Sequence, residues 1–181
     1  MPQLASLPIP EPTALLFGLG DPSHTLAQPP HDALGHVRRM GIPCAWLDAP
    51  CASSHINSPL PDWLPVATTH AQCAAWPAPD ACWQALMGLN ISHIAGCVLV
   101  SNQPKLLQAG LNAGLWTIGL AACPATANEW QDLSPQECES RRARATLQLF
   151  ALGVHSVIDT LSELHTCLAD IGLRRLKGEK P

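Results

Sequence analysis

Apolar residues in this chain gather in short continuous runs rather than in strict alternation. Ala14-Leu15-Leu16-Phe17, Ile42 to Leu47, Val98-Leu99-Val100, Leu115 to Leu120 and Val154 to Asp159 are runs of this kind. Each has the length of a strand buried on both faces. Between them the spacing changes to that of helices. His31 to Met40 predicts a helix that stops at Gly41, a residue suited to the left-handed conformation that closes helices. Asp80 is placed to cap a helix through Asn90, with Trp83, Leu86, Met87 and Asn90 at three- and four-residue spacing. Lys105 to Leu111 predicts a helix closed around Gly114. Ser134-Pro135-Gln136-Glu137 is a capping box with proline in the first turn. The long helix it opens runs to about Gly153, helped by Glu137 and Arg141 one turn apart. Thr160 to Leu173 is the last helix. Strands alternating with helices predict right-handed crossovers and a mainly parallel sheet with helices on both faces. In such sheets ligands sit outside the carboxyl ends of the strands. That rule selects Gly18 to Ser23, Leu47 to Pro50, Ala75 to Pro77 and Ser101 to Lys105 as the rim.

Composition narrows the function. The 181 residues suit one domain with a proper core: a proline-rich lead over 1–13, a core over 14–173, and a basic tail over 174–181. The tail's Arg174, Arg175, Lys177 and Lys180 are read as solvated. A net charge of −4 with 13% charged residues supplies no basic field for nucleic acid or an anionic membrane surface. Pro8, Pro10 and Pro12 break the first apolar run, so neither a secretory leader nor a spanning helix is expected, and the expected location is cytoplasmic. Eight cysteines are scattered without C-x-x-C spacing and read as small buried hydrophobes. Zinc ligation by Cys51 with His55, or by His24, His31 and His36, lacks the closely paired ligands of structural zinc sites. The histidines are given ordinary packing roles.

Two blocks carry a resemblance. Cys97 to Leu120 contains Asn112-Ala113-Gly114-Leu115-Trp116-Thr117-Ile118-Gly119, and Gly153 to Leu164 reads Gly-Val-His-Ser-Val-Ile-Asp-Thr-Leu-Ser-Glu-Leu. These N-A-G-x-W-T-x-G and G-x-H-x-x-I-D-T/S patterns resemble the phosphonoacetaldehyde hydrolase (phosphonatase) family of the haloacid dehalogenase-like (HAD) superfamily. The similarity runs from Trp76 to about Ile171, and more weakly from Ala14 to Asp48. It implies an α/β fold, a three-layer Rossmann-like core. It also implies an Asp nucleophile on the first strand, with Mg²⁺ and a cationic side chain neutralising the phosphonate.

The departures from that pattern fall on the chemistry. After Phe17 the family places its nucleophile, and two residues on a metal-binding backbone position; here Gly18 and Gly20 stand there. Glycine cannot form a phospho-enzyme. The phosphate-binding Thr falls at Leu47 or Asp48, and neither has a hydroxyl. Trp76 replaces an Arg that clamps phosphate, so a charged fork becomes one neutral donor. In Ser101-Asn102-Gln103-Pro104-Lys105-Leu106 the family pattern is G-D-T-x-x-D. Asn102 therefore replaces the main Mg²⁺ carboxylate, a vestigial metal position, and Leu106 replaces a second acid. Magnesium wants octahedral oxygen ligation with one or two carboxylates, so no metal cofactor is expected. The family inserts a cap with a Schiff-base Lys between the first two strands; Asp21 to Pro30 is the whole connection here, so the cap is expected to be absent.

Three readings follow. The first is a degenerate core that no longer catalyses and binds a protein partner or catalytic paralogue, with Trp46, Trp63, Trp76 and Trp130 available for an apolar patch where the cap is missing. The second is a metal-dependent hydrolase of a small phosphorylated or phosphonate compound, using Mg²⁺ at a relocated site with Asp21 and Asp48 as catalytic candidates beside Asn102, and with Ser23 and Lys105 nearby. The third is binding of a small anionic ligand at the start of the Lys105 helix without chemistry. The ligand-binding rim common to all is Gly18, Gly20, Asp21, Ser23, Asp48, Trp76, Ser101, Asn102 and Lys105.

Overall fold

The computed structural model describes residues 8–19, 31–48, 60–67, 70, 72–121 and 133–181, with 31–33 described by backbone alone. Five strands form one parallel sheet in the order β2-β1-β3-β4-β5: β1 Ala14–Gly18, β2 Cys44–Trp46, β3 Cys97–Ser101, β4 Trp116–Leu120 and β5 Ser156–Ile158. Every residue of β1 to β4 is buried, as expected of a parallel sheet covered on both faces. The helices are α1 His31–Arg39, α2 Asp80–Gly88, α3 Pro104–Asn112, α4 Pro135–Leu152 and α5 Leu164–Leu176. Short 3₁₀ turns, Ile94–Gly96 and Leu161–Glu163, lead into β3 and α5.

Successive strand side chains alternate between faces, and the packing follows that period. Leu15 and Phe17 of β1, Trp46, Val98, Val100, Trp116 and Ile118 pack with Leu34 and Val37 of α1 and Leu164, Leu168 and Ile171 of α5. Ala14 and Leu16, Ala45, Cys97 and Leu99 pack with Ala81, Cys82, Ala85 and Leu86 of α2 and Leu106 and Ala109 of α3. α4 joins the second side through Leu149, which meets Leu107. The result is the three-layer arrangement the apolar runs imply.

Several boundaries differ for physical reasons. β2 is shorter than Ile42 to Leu47 because Pro43 has no N–H to give; its carbonyl still accepts from Leu15 and the Leu47 N–H donates to Phe17. β5 likewise shortens to Ser156–Ile158. Asp80 is not the cap of α2: Pro79 holds that position without a side-chain bond, and Asp80 lies in the first turn, where its charge suits the helix dipole. The Ser134–Glu137 capping box forms as expected, and α4 closes on Gly153 at φ 95°, a conformation that disfavours any side chain. The C-terminal arginines are not a free tail. α5 runs to Leu176, Arg175 donates to the carbonyls of Pro10 and Glu11, and Arg174 stacks 4.8 Å over the Trp116 ring.

Candidate functional site

The carboxyl ends of β1 and β3 lie side by side, with Gly18 in register with Ser101. β2 ends next to them, since the Leu47 N–H donates to the Phe17 carbonyl at 2.7 Å, and Asp48 follows. The sheet thus gathers Gly18, Asp48, Ser101 and Asn102 at one edge, while Lys105 is exposed in the first turn of α3. Gly20, Asp21 and Ser23 lie outside the described residues, as do Cys51, His55, His24 and Trp130.

What surrounds Gly18 decides the chemistry. A β-carbon built on Gly18 would lie 2.0 Å from Cδ2 of Leu106. Leu106 is fully buried, on the inner face of α3 among Leu16, Leu47 and Leu99. The side chain at the second-acid position therefore fills the room of the side chain at the nucleophile position. The carbonyl of Gly18 is also satisfied within the protein. It accepts from the Ser101 hydroxyl at 2.6 Å and from the Gln103 side-chain amide at 3.3 Å, and the Gln103 backbone N–H donates to the Ser101 hydroxyl at 3.0 Å. Ser101 is itself fully buried. Gln103 lies within the expected Ser101 to Lys105 stretch, but its role does not show in the motif, because its amide closes on a carbonyl far away in sequence.

Positions 18, 102 and 106, taken by themselves, do not fit a magnesium ion. Gly18 brings no carboxylate, Asn102 is neutral, and Leu106 is hydrocarbon, whereas the ion needs anionic oxygen. Among the described residues no group of three His, Cys, Asp or Glu side chains converges on a common point. An acid does follow β5, Asp159, but Arg142 of α4 pairs with it while also holding Glu139. That pair was not among the expected rim residues; the Asp of the I-D-T block was its only signal.

Trp76 stands outside the strand ends proper, before α2, and packs partly buried against the α2–α3 side of the core. Its indole N–H is buried without an acceptor, so it offers no charge and one unused donor in place of a guanidinium. Of the tryptophans named for an apolar patch, Trp130 lies outside the described residues. Trp46 is 2% exposed, and Trp63 packs against the opposite core. Exposed apolar side chains lie elsewhere: Trp83 and Met87 on α2, Val66 beside β2, and Leu147 and Phe150 on α4. A hollow of about 430 Å³ lined by Val66, His70, Gln84, Met87 and Leu89 lies between the β2 edge and α2.

Among the described residues Cys44, Cys82, Cys97 and Cys167 are buried as packing groups, and Cys73 and Cys138 are partly exposed. Burial pushes the thiols of Cys44 and Cys82 up to about 12 and that of Cys97 to about 11, which leaves no thiolate at neutral pH. Among the described residues no helix is long and apolar enough to cross a membrane.

Comparison with known proteins agrees with the geometry. No protein-family model matches the chain. Phosphonoacetaldehyde hydrolase of Klebsiella pneumoniae is 39% identical over 120 residues, 64% of this chain and 45% of that protein. Phosphonoacetaldehyde hydrolase of Salmonella enteritidis is 35% identical over 147 residues, 78% of this chain and 53% of that protein. The chain thus spans about half the length of the curated relatives it matches. The crystal structure of a phosphonoacetaldehyde hydrolase-like protein from Oleispira antarctica superposes with a TM-score of 0.68 at 26% identity, over 88% of this chain and 59% of that one. Another solved structure, 48% identical, covers 93% of this chain and 99% of its own with a TM-score of 0.82. With the parallel sheet, the strand-end rim and these relatives together, the chain belongs to the phosphonatase-like branch of the haloacid dehalogenase-like superfamily, as a core with only residues 19–30 between β1 and α1.

Proposed function

We propose that this chain is a phosphonatase-like HAD core that does not catalyse and acts in the cytoplasm by binding, either to a protein partner or to a small ligand. One observation carries the reading: Leu106 occupies the space a nucleophile at position 18 needs, at 2.0 Å from the β-carbon such a residue would have. Two losses at distant positions are thereby one packing solution. An aspartate at 18 would have to push hydrocarbon aside and sit ionised in a dry pocket, which is unfavourable without a cation. The bonds to the Gly18 carbonyl from Ser101 and Gln103 support the same reading, because they fix this strand end by neutral packing and hydrogen bonding.

The test is turnover. Purified full-length protein with Mg²⁺, Mn²⁺ or Zn²⁺, offered phosphonoacetaldehyde, other phosphonates and phosphomonoesters, is expected to release no phosphate above the buffer blank. Release that disappears in Asp21→Ala or Asp48→Asn would reverse the reading in favour of a relocated hydrolytic site. Thermal-shift measurements with phosphate, phosphonates and aldehydes separate the two binding modes. A ligand at 100 times its dissociation constant adds about 2.7 kcal/mol to stability, and a flat panel leaves the protein partner.

A further inference from the structure

α4 turns one side to the core and leaves the other bare. Of its residues only Leu149 is buried. Successive residues stand about 100° apart around a helix, so Leu147 lies about 160° from Leu149 and points almost straight outward. It is 71% exposed, and Phe150, one turn on, is 54% exposed. Ala143, Arg144 and Ala151 are exposed on the same side. A single apolar side chain in solvent needs no explanation. Here two large ones share the outward face of one helix, with small residues before and after them, which is the pattern of a surface that another surface covers.

The face is complementary to itself. Phe150 and Ala143 lie on one flank of Leu147, and Arg144 and Ala151 on the other. A two-fold axis through Leu147, perpendicular to the helix, sets a second α4 antiparallel to the first and keeps each flank facing itself. Phe150 then meets the copy's Ala143, a large ring against a small side chain, and Leu147 meets its own counterpart. On the other flank Arg144 passes over the copy's Ala151 toward the last turn of the copy's helix. That turn carries no basic side chain of its own, and a cation there is favoured by the helix dipole. Arg144 takes part in none of the ion pairs among the described residues. We propose that a second copy of this chain docks on the outward face of α4, as an antiparallel two-fold pair centred on Leu147. Such closed, isologous pairs are the commonest assemblies of identical chains. α4 has 18 residues, a length of about 27 Å, and one helix face of that length covers less than the roughly 800 Å² per partner of a standard interface. The dimer is therefore weak and concentration-dependent. It rests on α4 alone and holds whether or not the strand ends catalyse.

The experiment is sedimentation equilibrium of the full chain with thiols reduced, from about 5 to 500 μM, a range that brackets weak association. The parent protein is expected to show a monomer–dimer equilibrium. Leu147→Glu and Phe150→Gln are each expected to weaken it at least tenfold, with the melting temperature in dilute solution unchanged because both side chains are exposed. A second pair of variants tests the register. Ala151→Lys sets a cation against the copy's Arg144 and is expected to weaken the dimer at least threefold, whereas Ala151→Glu offers that arginine a partner and is expected not to weaken it. Within one chain positions 144 and 151 are two turns apart, so neither change reaches Arg144 along its own helix. A parent protein that stays monomeric throughout, whether its α4 face is bare or covered by some other protein, would overturn the proposal. So would a dimer that survives both Leu147→Glu and Phe150→Gln, or equal effects of Ala151→Lys and Ala151→Glu.

Discussion

The two ends of the sheet treat polar groups in opposite ways. At the amino ends of β4 and β5, polar and charged side chains are retained and tied to the backbone. The Thr117 N–H donates to Nδ1 of His155 at 3.0 Å and the Thr117 hydroxyl lies 2.9 Å from the same atom. The His155 N–H returns a bond to the Thr117 hydroxyl. Arg174 donates to the His155 carbonyl at 3.0 Å and covers Trp116. At the carboxyl ends of β1 and β3 the counterpart groups are Gly18, Ser101 and Leu106, and none of these three carries a charge. The amino end belongs to folding and the carboxyl end to chemistry. The residues of the N-A-G-x-W-T-x-G and G-x-H-x-x-I-D-T/S blocks tie the amino ends together, while the positions that depart from the family pattern, Gly18, Asn102 and Leu106, gather at the carboxyl ends.

The largest effect that can break this contrast is at Gly18 and Leu106. Leu106→Ala removes a fully buried side chain and is expected to cost about 2–5 kcal/mol. Gly18→Ala, which overpacks the same space, is expected to cost about 1–3 kcal/mol. If the two share one volume, the double variant will be more stable than the sum of the single losses, by about 1 kcal/mol or more. Urea denaturation of the four proteins measures this, and simple additivity would refute the shared volume.

A smaller effect is expected at the other end. Thr117→Val removes the hydroxyl bonds to the half-buried His155, whose Nδ1 keeps the backbone N–H of residue 117, and should cost about 0.5–1.5 kcal/mol. Arg174→Met, which loses the Trp116 stack and the His155 bond but keeps apolar bulk, should cost about 1–2 kcal/mol. Neither variant should alter any binding at the strand ends, and calorimetry of a ligand found there checks that separation.

The smallest effect is a pH dependence. Burial, reinforced by the Arg174 charge, holds the His155 ring below its ordinary titration range. Its Nδ1 accepts a backbone N–H, so protonation there breaks a bond. The unfolded chain therefore takes up the proton first as pH falls. The stability contribution of this group is complete above about pH 6.5 and declines below it until the folded protein protonates as well. Denaturation midpoints from pH 7.5 to 5 should show that decline in the parent protein and a shallower one in His155→Gln. Identical slopes would remove His155 as its source.

Much of the fold was legible because burial on both faces leaves unbroken apolar runs, and helix ends such as Ser134 and Gly153 carry local chemistry. What was not legible depended on contacts between distant residues. Nothing near Arg174 in the chain announces that it will lie over Trp116. Asp80 has the right chemistry for a cap, but the turn places Pro79 there instead. At the site, substitution at positions 18, 102 and 106 was visible residue by residue. That Leu106 reaches into the room beside Gly18, and that Gln103 spans 85 positions to bond its carbonyl, required the fold.

The contact between Gly18 and Leu106 also works as a ratchet. Restoring an acid at 18 alone meets a leucine methyl, and restoring one at 106 alone places a carboxyl in a fully enclosed apolar layer with no ion to receive it. Each single change is therefore worse for packing than none, so a side chain at 18 is best accommodated together with a smaller one at 106.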